Sequence, residues 1–152
     1  MVRITTCLWF DNNLEEALAF YRTVFKSVEM GKQTRGPEGE LIAARFTIDD
    51  NELEGINGGP IFRFSEAISL SIACKDQAEV DHYWHGLLAD GGEESQCGWL
   101  RDRFGLSWQI VPDAIYDTVS GPDPEGAARA MAAMMKMVKL DVAALEAAYA
   151  GR

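Results

Sequence analysis

The side chains best suited to chemistry in this chain are few. His82 and His85, the only histidines, stand three apart on a helical stretch, a spacing that can hold a metal. No cysteine or further acid is placed with them beyond the residues that open the helix, so they read as solvated positions. With both on that helix, no histidine remains for a serine or cysteine triad. Cys97 lies in a turn before Trp99, but a nucleophilic thiol needs a base or a positive field. Arg101 offers one, and Glu93-Glu94 oppose it. Glu66 and Glu94 are the candidate bases, with surface roles fitting each better. Catalytic residues are therefore not assigned. A nucleotide cradle requires a glycine-rich loop after a strand, whereas the first strand here leads to Asp11-Asn12-Asn13.

The elements that must position these residues come in two copies. Asn13 opens a stretch in which Glu16, Ala17, Phe20, Tyr21, Val24 and Phe25 are answered at one constant offset by Glu79, Val80, Tyr83, Trp84, Leu87 and Leu88, after a second opener, Asp76. Each copy reads as a helix with the same buried face, and Asn13/Glu16 and Asp76/Glu79 as capping boxes. Strands are expected at 3–10, 27–35, 41–48 and 53–57, then at 67–74, 93–97, 99–103 and 106–111, with turns at Gly36-Pro37-Glu38-Gly39, Asp49-Asp50-Asn51 and Gly91-Gly92. The unit is strand, helix, three strands. Two units make one α+β domain over 1–152, with modules at about 1–60 and 61–112 and a helical tail at about 113–152; its natural site is the cup between the sheets. In the tail, Asp123-Pro124-Glu125 opens a helix with Ala128, Met131, Met134, Met135 and Val138 on its apolar face, and a second helix starts at Asp141. The tail reads as a brace.

Bulk properties narrow the function. A net charge of -10 over 152 residues disfavours nucleic acid and anionic membranes, and suits a neutral or cationic small ligand better. No stretch is long and apolar enough for a membrane span, no signal peptide is evident, and three cysteines without a CxxC suit reduced thiols. A cytoplasmic location is the expectation.

Cys7-Leu8-Trp9-Phe10-Asp11, Asn57-Gly58-Gly59-Pro60, Gly91-Gly92-Glu93-Glu94 through Trp99-Leu100, and Phe104-Gly105-Leu106-Ser107-Trp108-Gln109 resemble the PhnB-like branch of the vicinal-oxygen-chelate superfamily, which includes glyoxalase and bleomycin-resistance proteins. That branch is often labelled 3-demethylubiquinone-9 3-methyltransferase. The resemblance implies paired βαβββ modules, a cupped sheet and a homodimer. It also implies where enzymes of the superfamily hold a metal. Those places fall on Thr5 or Thr6, near Asn57, on Ser69 and on Gln109. None is an imidazole or carboxylate, so no metal and no cofactor is expected. The candidate ligand-binding residues are Thr5, Cys7, Trp9, Asn57, Phe64, Glu66, Ser69, Trp99, Trp108 and Gln109, the aromatics as walls and the polar groups as anchors. The expected function is metal-independent binding of a small organic compound. The alternative is an enzyme, using acid/base chemistry without metal or the methyl transfer of the family label.

Overall fold

The computed structural model describes all residues, Met1–Arg152, and divides into two compact units, Met1–Phe64 and Ser65–Arg152. The first unit runs β1 (Thr6–Phe10), α1 (Leu14–Arg22), β2 (Val28–Arg35), β3 (Leu41–Ile48) and β4 (Asn51–Asn57). Its sheet has the order β1-β4-β3-β2, with β1 parallel to β4 and the other pairs antiparallel. The second unit repeats this with β5 (Ser69–Cys74), α2 (Gln77–Leu88), β6 (Glu93–Glu94), β7 (Trp99–Arg101) and β8 (Ser107–Pro112), in the order β5-β8-β7-β6 with β5 parallel to β8. The fold is α+β with paired βαβββ modules, as the internal repeat predicts.

In the first unit, strand alternation sends Leu8, Phe10, Ala44, Phe46, Ile48 and Leu53 to the face covered by α1, where Leu14, Ala17, Leu18 and Tyr21 are buried. Each fully buried aliphatic side chain contributes about 1.5–3 kcal/mol. The helix approaches β4 closely enough that a Cβ on Gly55 would lie 2.5 Å from Leu14 Cδ1. The expected helix extends to Phe25, but α1 stops at Arg22. The Thr23 hydroxyl donates to Phe20 O (2.6 Å), and the N–H groups of Val24 and Phe25 both turn back to Tyr21 O. Val24 and Phe25 nevertheless stay buried, so the face is as expected and only the helical winding ends early.

The two openers behave differently. Asp76 accepts from Glu79 N (2.9 Å), and Glu79 Oε2 accepts from Lys75 N (2.9 Å), one residue upstream of the partner in a capping box. Asn13 makes no side-chain cap, and its Oδ1 is buried without a partner. The N–H of Leu14 instead donates to Asn57 Oδ1, 2.9 Å away. A residue 43 positions along the chain thus satisfies the first N–H of α1, while the Asn13 side chain caps none.

In the second unit α2 buries Val80, Trp84 and Leu87 and packs on β5, β7 and β8, whose Cys74, Leu100, Trp108 and Ile110 are buried. Strand β6 is shorter than expected because Cys97 and Gly98 take the left-handed conformation (φ 56° and 84°) and turn the chain, and β7 because the chain turns again after Arg101, where Gly105 N donates to Asp102 O. After a 3-10 turn at Asp113–Ile115 come α3 (Pro124–Met134) and α4 (Val142–Ala150), each capped by an aspartate: Asp123 accepts from Gly126 N and Asp141 from Ala144 N.

The helices pack on one another through a face other than the expected one. Gly126 and Ala130 of α3 are buried, whereas Ala128, Met131 and Met135 are exposed. The small residues win the contact because Gly126 lets Tyr149 approach closely, with the Tyr149 hydroxyl accepting from Asp123 N (2.9 Å) and Arg129 donating to Ala148 O and Tyr149 O. Between α3 and α4 the chain forms a strap across its own unit. Cys97 N and Gly98 N donate to Met137 O and Val138 O (2.8 and 2.7 Å). Gln77 of α2 donates to Leu140 O and accepts from Val142 N. With Leu140 and Leu145 buried, the tail is a brace of the second unit.

Candidate functional site

The face of each sheet turned away from its helix carries the polar side chains, as period-2 alternation requires. In the first unit, strand register sets Cys7, Glu54 and Arg45 in one row across β1, β4 and β3, and Trp9, Ile56 and Ala43 in the next. Arg45 Nε lies 3.1 Å from Glu54 Oε1 and Arg45 Nη1 3.4 Å from Glu52 Oε1, while Arg3 reaches the other oxygen of Glu52 at 2.7 Å. These partly exposed pairs add little stability but fix charge on the face. Burial, then the Glu54 carboxylate, raises the Cys7 thiol pKa, so Cys7 is not an activated nucleophile.

Trp9 is the best-fixed aromatic of this face. Its indole N–H donates to Gly59 O (2.9 Å), Phe62 meets its ring edge-on at 4.9 Å, and the ring fills the space where a Cβ on Gly58 would stand. Phe64, by contrast, lies edge-on to Phe10, a core residue of the opposite parity. The aromatic partner of Trp9 is therefore Phe62, which the sequence reading missed. Thr5 is half-buried and precedes β1, which begins at Thr6 on the parity of Leu8.

Asn57 falls on the helix side. Its Oδ1 takes the Leu14 N–H and its Nδ2 donates to Leu41 O (3.0 Å), so both ends of the amide are committed to holding α1 and β3 to the end of β4.

In the second unit one row reads Ser71, Gln109 and Trp99, and the next Ser69, Ser107, Arg101 and Glu93. Gln109 Nε2 donates to Ser69 Oγ (2.9 Å). Arg101 is ion-paired with Glu93 and lies 3.8 Å from Glu66 Oε1. Ser107 is fully buried and its hydroxyl has no partner. Trp108, one residue from Gln109, points the other way. It is buried, with its indole N–H donating to Asp102 Oδ2 (2.9 Å), while Asp102 Oδ1 also accepts from Phe104 N and Leu106 N. Alternation makes Trp108 a core residue and leaves Gln109 on the polar face.

Among the candidates, Ser69, Gln109, Trp99 and Glu66 thus share the polar side of the second unit, and Cys7 and Trp9 that of the first. Asn57, Phe64 and Trp108 do not join them. The reading missed Arg45, Glu54, Arg101 and Ser107; counting by twos along β8 from Gln109 reaches Ser107, whereas the other three join their rows only through the strand register.

The donors at the superfamily's metal places do not fit a transition ion. Asn57 has both amide ends spent, Ser69 and Gln109 are bonded to each other, and Thr5 and Thr6 offer neutral hydroxyls. No group of three or more histidine, cysteine, aspartate or glutamate side chains is placed to hold an ion. No helix is long and apolar enough to cross a membrane.

Comparison with known proteins agrees with this architecture. The family described as 3-demethylubiquinone-9 3-methyltransferase matches residues 2–111, which leaves the helical tail outside the match. The PhnB protein from Bacillus cereus is 32% identical, over 73% of this chain and 99% of its own, with a TM-score of 0.65. A protein from Pseudomonas aeruginosa is 19% identical over 74% of this chain and 100% of its own (TM-score 0.58). The fosfomycin resistance protein FosX of Listeria monocytogenes, whose structure was determined with Mn(II), is 16% identical over 73% of this chain and 93% of its own (TM-score 0.56); at that identity it shares the fold alone. No curated protein matches the chain. The fold is that of the glyoxalase/bleomycin-resistance class, and the chain belongs to the PhnB-like, 3-demethylubiquinone-9 3-methyltransferase family within it.

Proposed function

We propose that this protein binds a small organic molecule, neutral or cationic, and does so without a transition metal. The observation that carries the reading is the Gln109–Ser69 hydrogen bond on the polar face of β5 and β8, at two of the superfamily's metal places. A side-chain amide and a hydroxyl that already pair with each other can exchange that bond for bonds to a ligand's carbonyl, hydroxyl or amine, but bring no charge to a metal. Trp99 in the Gln109 row supplies an apolar wall, and a cation gains from its ring face. The acidic net charge favours a cation over an anion. The protein works as a homodimer in the cytoplasm.

The test is equilibrium dialysis of neutral and cationic aromatic compounds, repeated in excess chelator and with Gln109→Leu and Trp99→Ala. Sub-millimolar binding that survives chelator and weakens at least tenfold in both variants is expected. If no compound binds more tightly than millimolar, or chelator abolishes binding, the reading fails. The family description favours a second reading, methyl transfer, for which calorimetric binding of S-adenosylmethionine is the decisive measurement. The chain from β1 into α1, through Asp11-Asn12-Asn13, lacks the glycine-rich loop of the common nucleotide cradles.

A further inference from the structure

Cys97 and the segment that follows α3 are brought together by the strap rather than by the sheet. The N–H groups of Cys97 and Gly98 donate to Met137 O and Val138 O at 2.8 and 2.7 Å, which fixes the β6–β7 turn against residues 135–138. As a result the Cys97 thiol donates to the Met135 sulfur, with Sγ and Sδ 3.9 Å apart. Met135 is 60% exposed and Cys97 is half-buried, so the pair lies at the surface. Four of the chain's six methionines, Met131, Met134, Met135 and Met137, fall in this one segment. A methionine used only for packing would be covered, yet Met131 and Met135 are not.

We propose that Cys97 and Met135 form a surface site for a soft monovalent cation, Cu(I) or Ag(I). Metal–sulfur bonds of about 2.3 Å put two sulfurs on one ion roughly 3.7–4.6 Å apart, as the angle at the metal opens from tetrahedral to linear. The observed separation lies inside that range, near the trigonal geometry that low-coordinate soft ions accept. Thiolate and thioether select Cu(I), whereas zinc, iron and nickel need further imidazole, thiolate or carboxylate donors, which no cluster here provides. Binding replaces the thiol proton, which passes to solvent, while Met135 donates a sulfur lone pair without any proton change. The turn's two backbone hydrogen bonds hold Cys97 in place, so the ion need order only the Met135 side chain. This site is independent of the proposed ligand face of β5 and β8.

The experiment titrates reduced protein with Cu(I) under anaerobic conditions against the chromogenic chelator bicinchoninate. The unaltered chain and Cys7→Ser should each withdraw one Cu(I) from the chelator. Cys97→Ser should withdraw none, and Met135→Leu should bind at least tenfold more weakly. Undiminished binding by Cys97→Ser, or Met135→Leu equal to the unaltered chain, overturns the proposal. A second measurement avoids variants altogether: iodoacetamide labelling read by peptide mass. One equivalent of Ag(I) should slow labelling at Cys97 and not at Cys7, and Zn(II) should change neither. Equal slowing at both cysteines, or equal protection of Cys97 by Zn(II), also overturns it.

Discussion

Asn57 shows how much one residue can be diverted from the role its sequence neighbourhood implies. With its oxygen on Leu14 N and its nitrogen on Leu41 O, it ties α1 and β3 to the end of β4. Asn57→Leu strands a donor and an acceptor that are partly buried, so urea denaturation should show a loss of about 2 kcal/mol. A change below measurement error would mean that water replaces the amide. Cys74 tests burial in another way. It is fully buried, and burial first, then Glu79, Asp113 and Asp76, push its thiol from 9.0 up to about 12. Below pH 9 both folded and unfolded chains keep the proton and the contribution is full. Between pH 9 and about 12 the unfolded thiol ionises first, so stability falls with rising pH, by up to about 1.4 kcal/mol per unit. The difference in stability between the unaltered chain and Cys74→Val should therefore shrink or reverse from pH 8.5 to pH 10.5, and a constant difference would remove the argument.

Among the elements, the strap at residues 137–140 is the part whose loss should be felt furthest. Gly98 carries φ 84°, and a Cβ there would stand 3.0 Å from Leu140 and 3.1 Å from Ile110 O. Gly98→Ala combines a strained backbone with a clash, and about 1–3 kcal/mol of destabilisation is expected. Gln77→Ala removes both side-chain bonds from α2 to the strap while leaving the turn intact. Hydrogen exchange should then rise at Val142, whose N–H loses its acceptor, and remain unchanged in β1–β4. Exchange that rises equally throughout would show that the strap is not a local device. The capping pattern also belongs to this scale: Asp76, Asp123 and Asp141 do what a helix opener should, and Asn13 does not, while the end of β4 accepts from the first N–H of α1.

For the molecule as a whole, the proposed dimer predicts sedimentation equilibrium at about twice the 16.8 kDa chain mass at micromolar concentration. Tyr116 and Met131 are exposed apolar residues of the second unit that a partner copy would cover. A monomer across that range would defeat the dimer claim and leave the brace intact. Deletion from Gly121 onward uncovers the surfaces that bury Leu140 and Leu145, and should cause aggregation or loss of folding in the second unit. Elemental analysis after dialysis should find no stoichiometric zinc, iron or nickel, since the donors at the superfamily's metal places are neutral and largely spent on the protein itself.

The amino-acid sequence by itself determined the repeat. Hydrophobic periodicity is a local property, and the matched faces of Tyr21 and Trp84 follow from spacing alone. It also determined the missing metal donors, since residue type needs no coordinates. What only the tertiary structure decided is the use of each polar or aromatic side chain where two segments compete for it. Trp108 and Gln109, neighbours on β8, take opposite faces by alternation alone, but that Trp108 meets Asp102 and Gln109 meets Ser69 is set by the fold. Phe62 displaces Phe64 beside Trp9 because Phe64 finds Phe10 instead. Met135 meets Cys97 only because a strap 38 residues away folds back on the turn. Hydrogen bonds and packing across such separations depend on which backbones the fold brings within about 3–4 Å, and no local pattern encodes that.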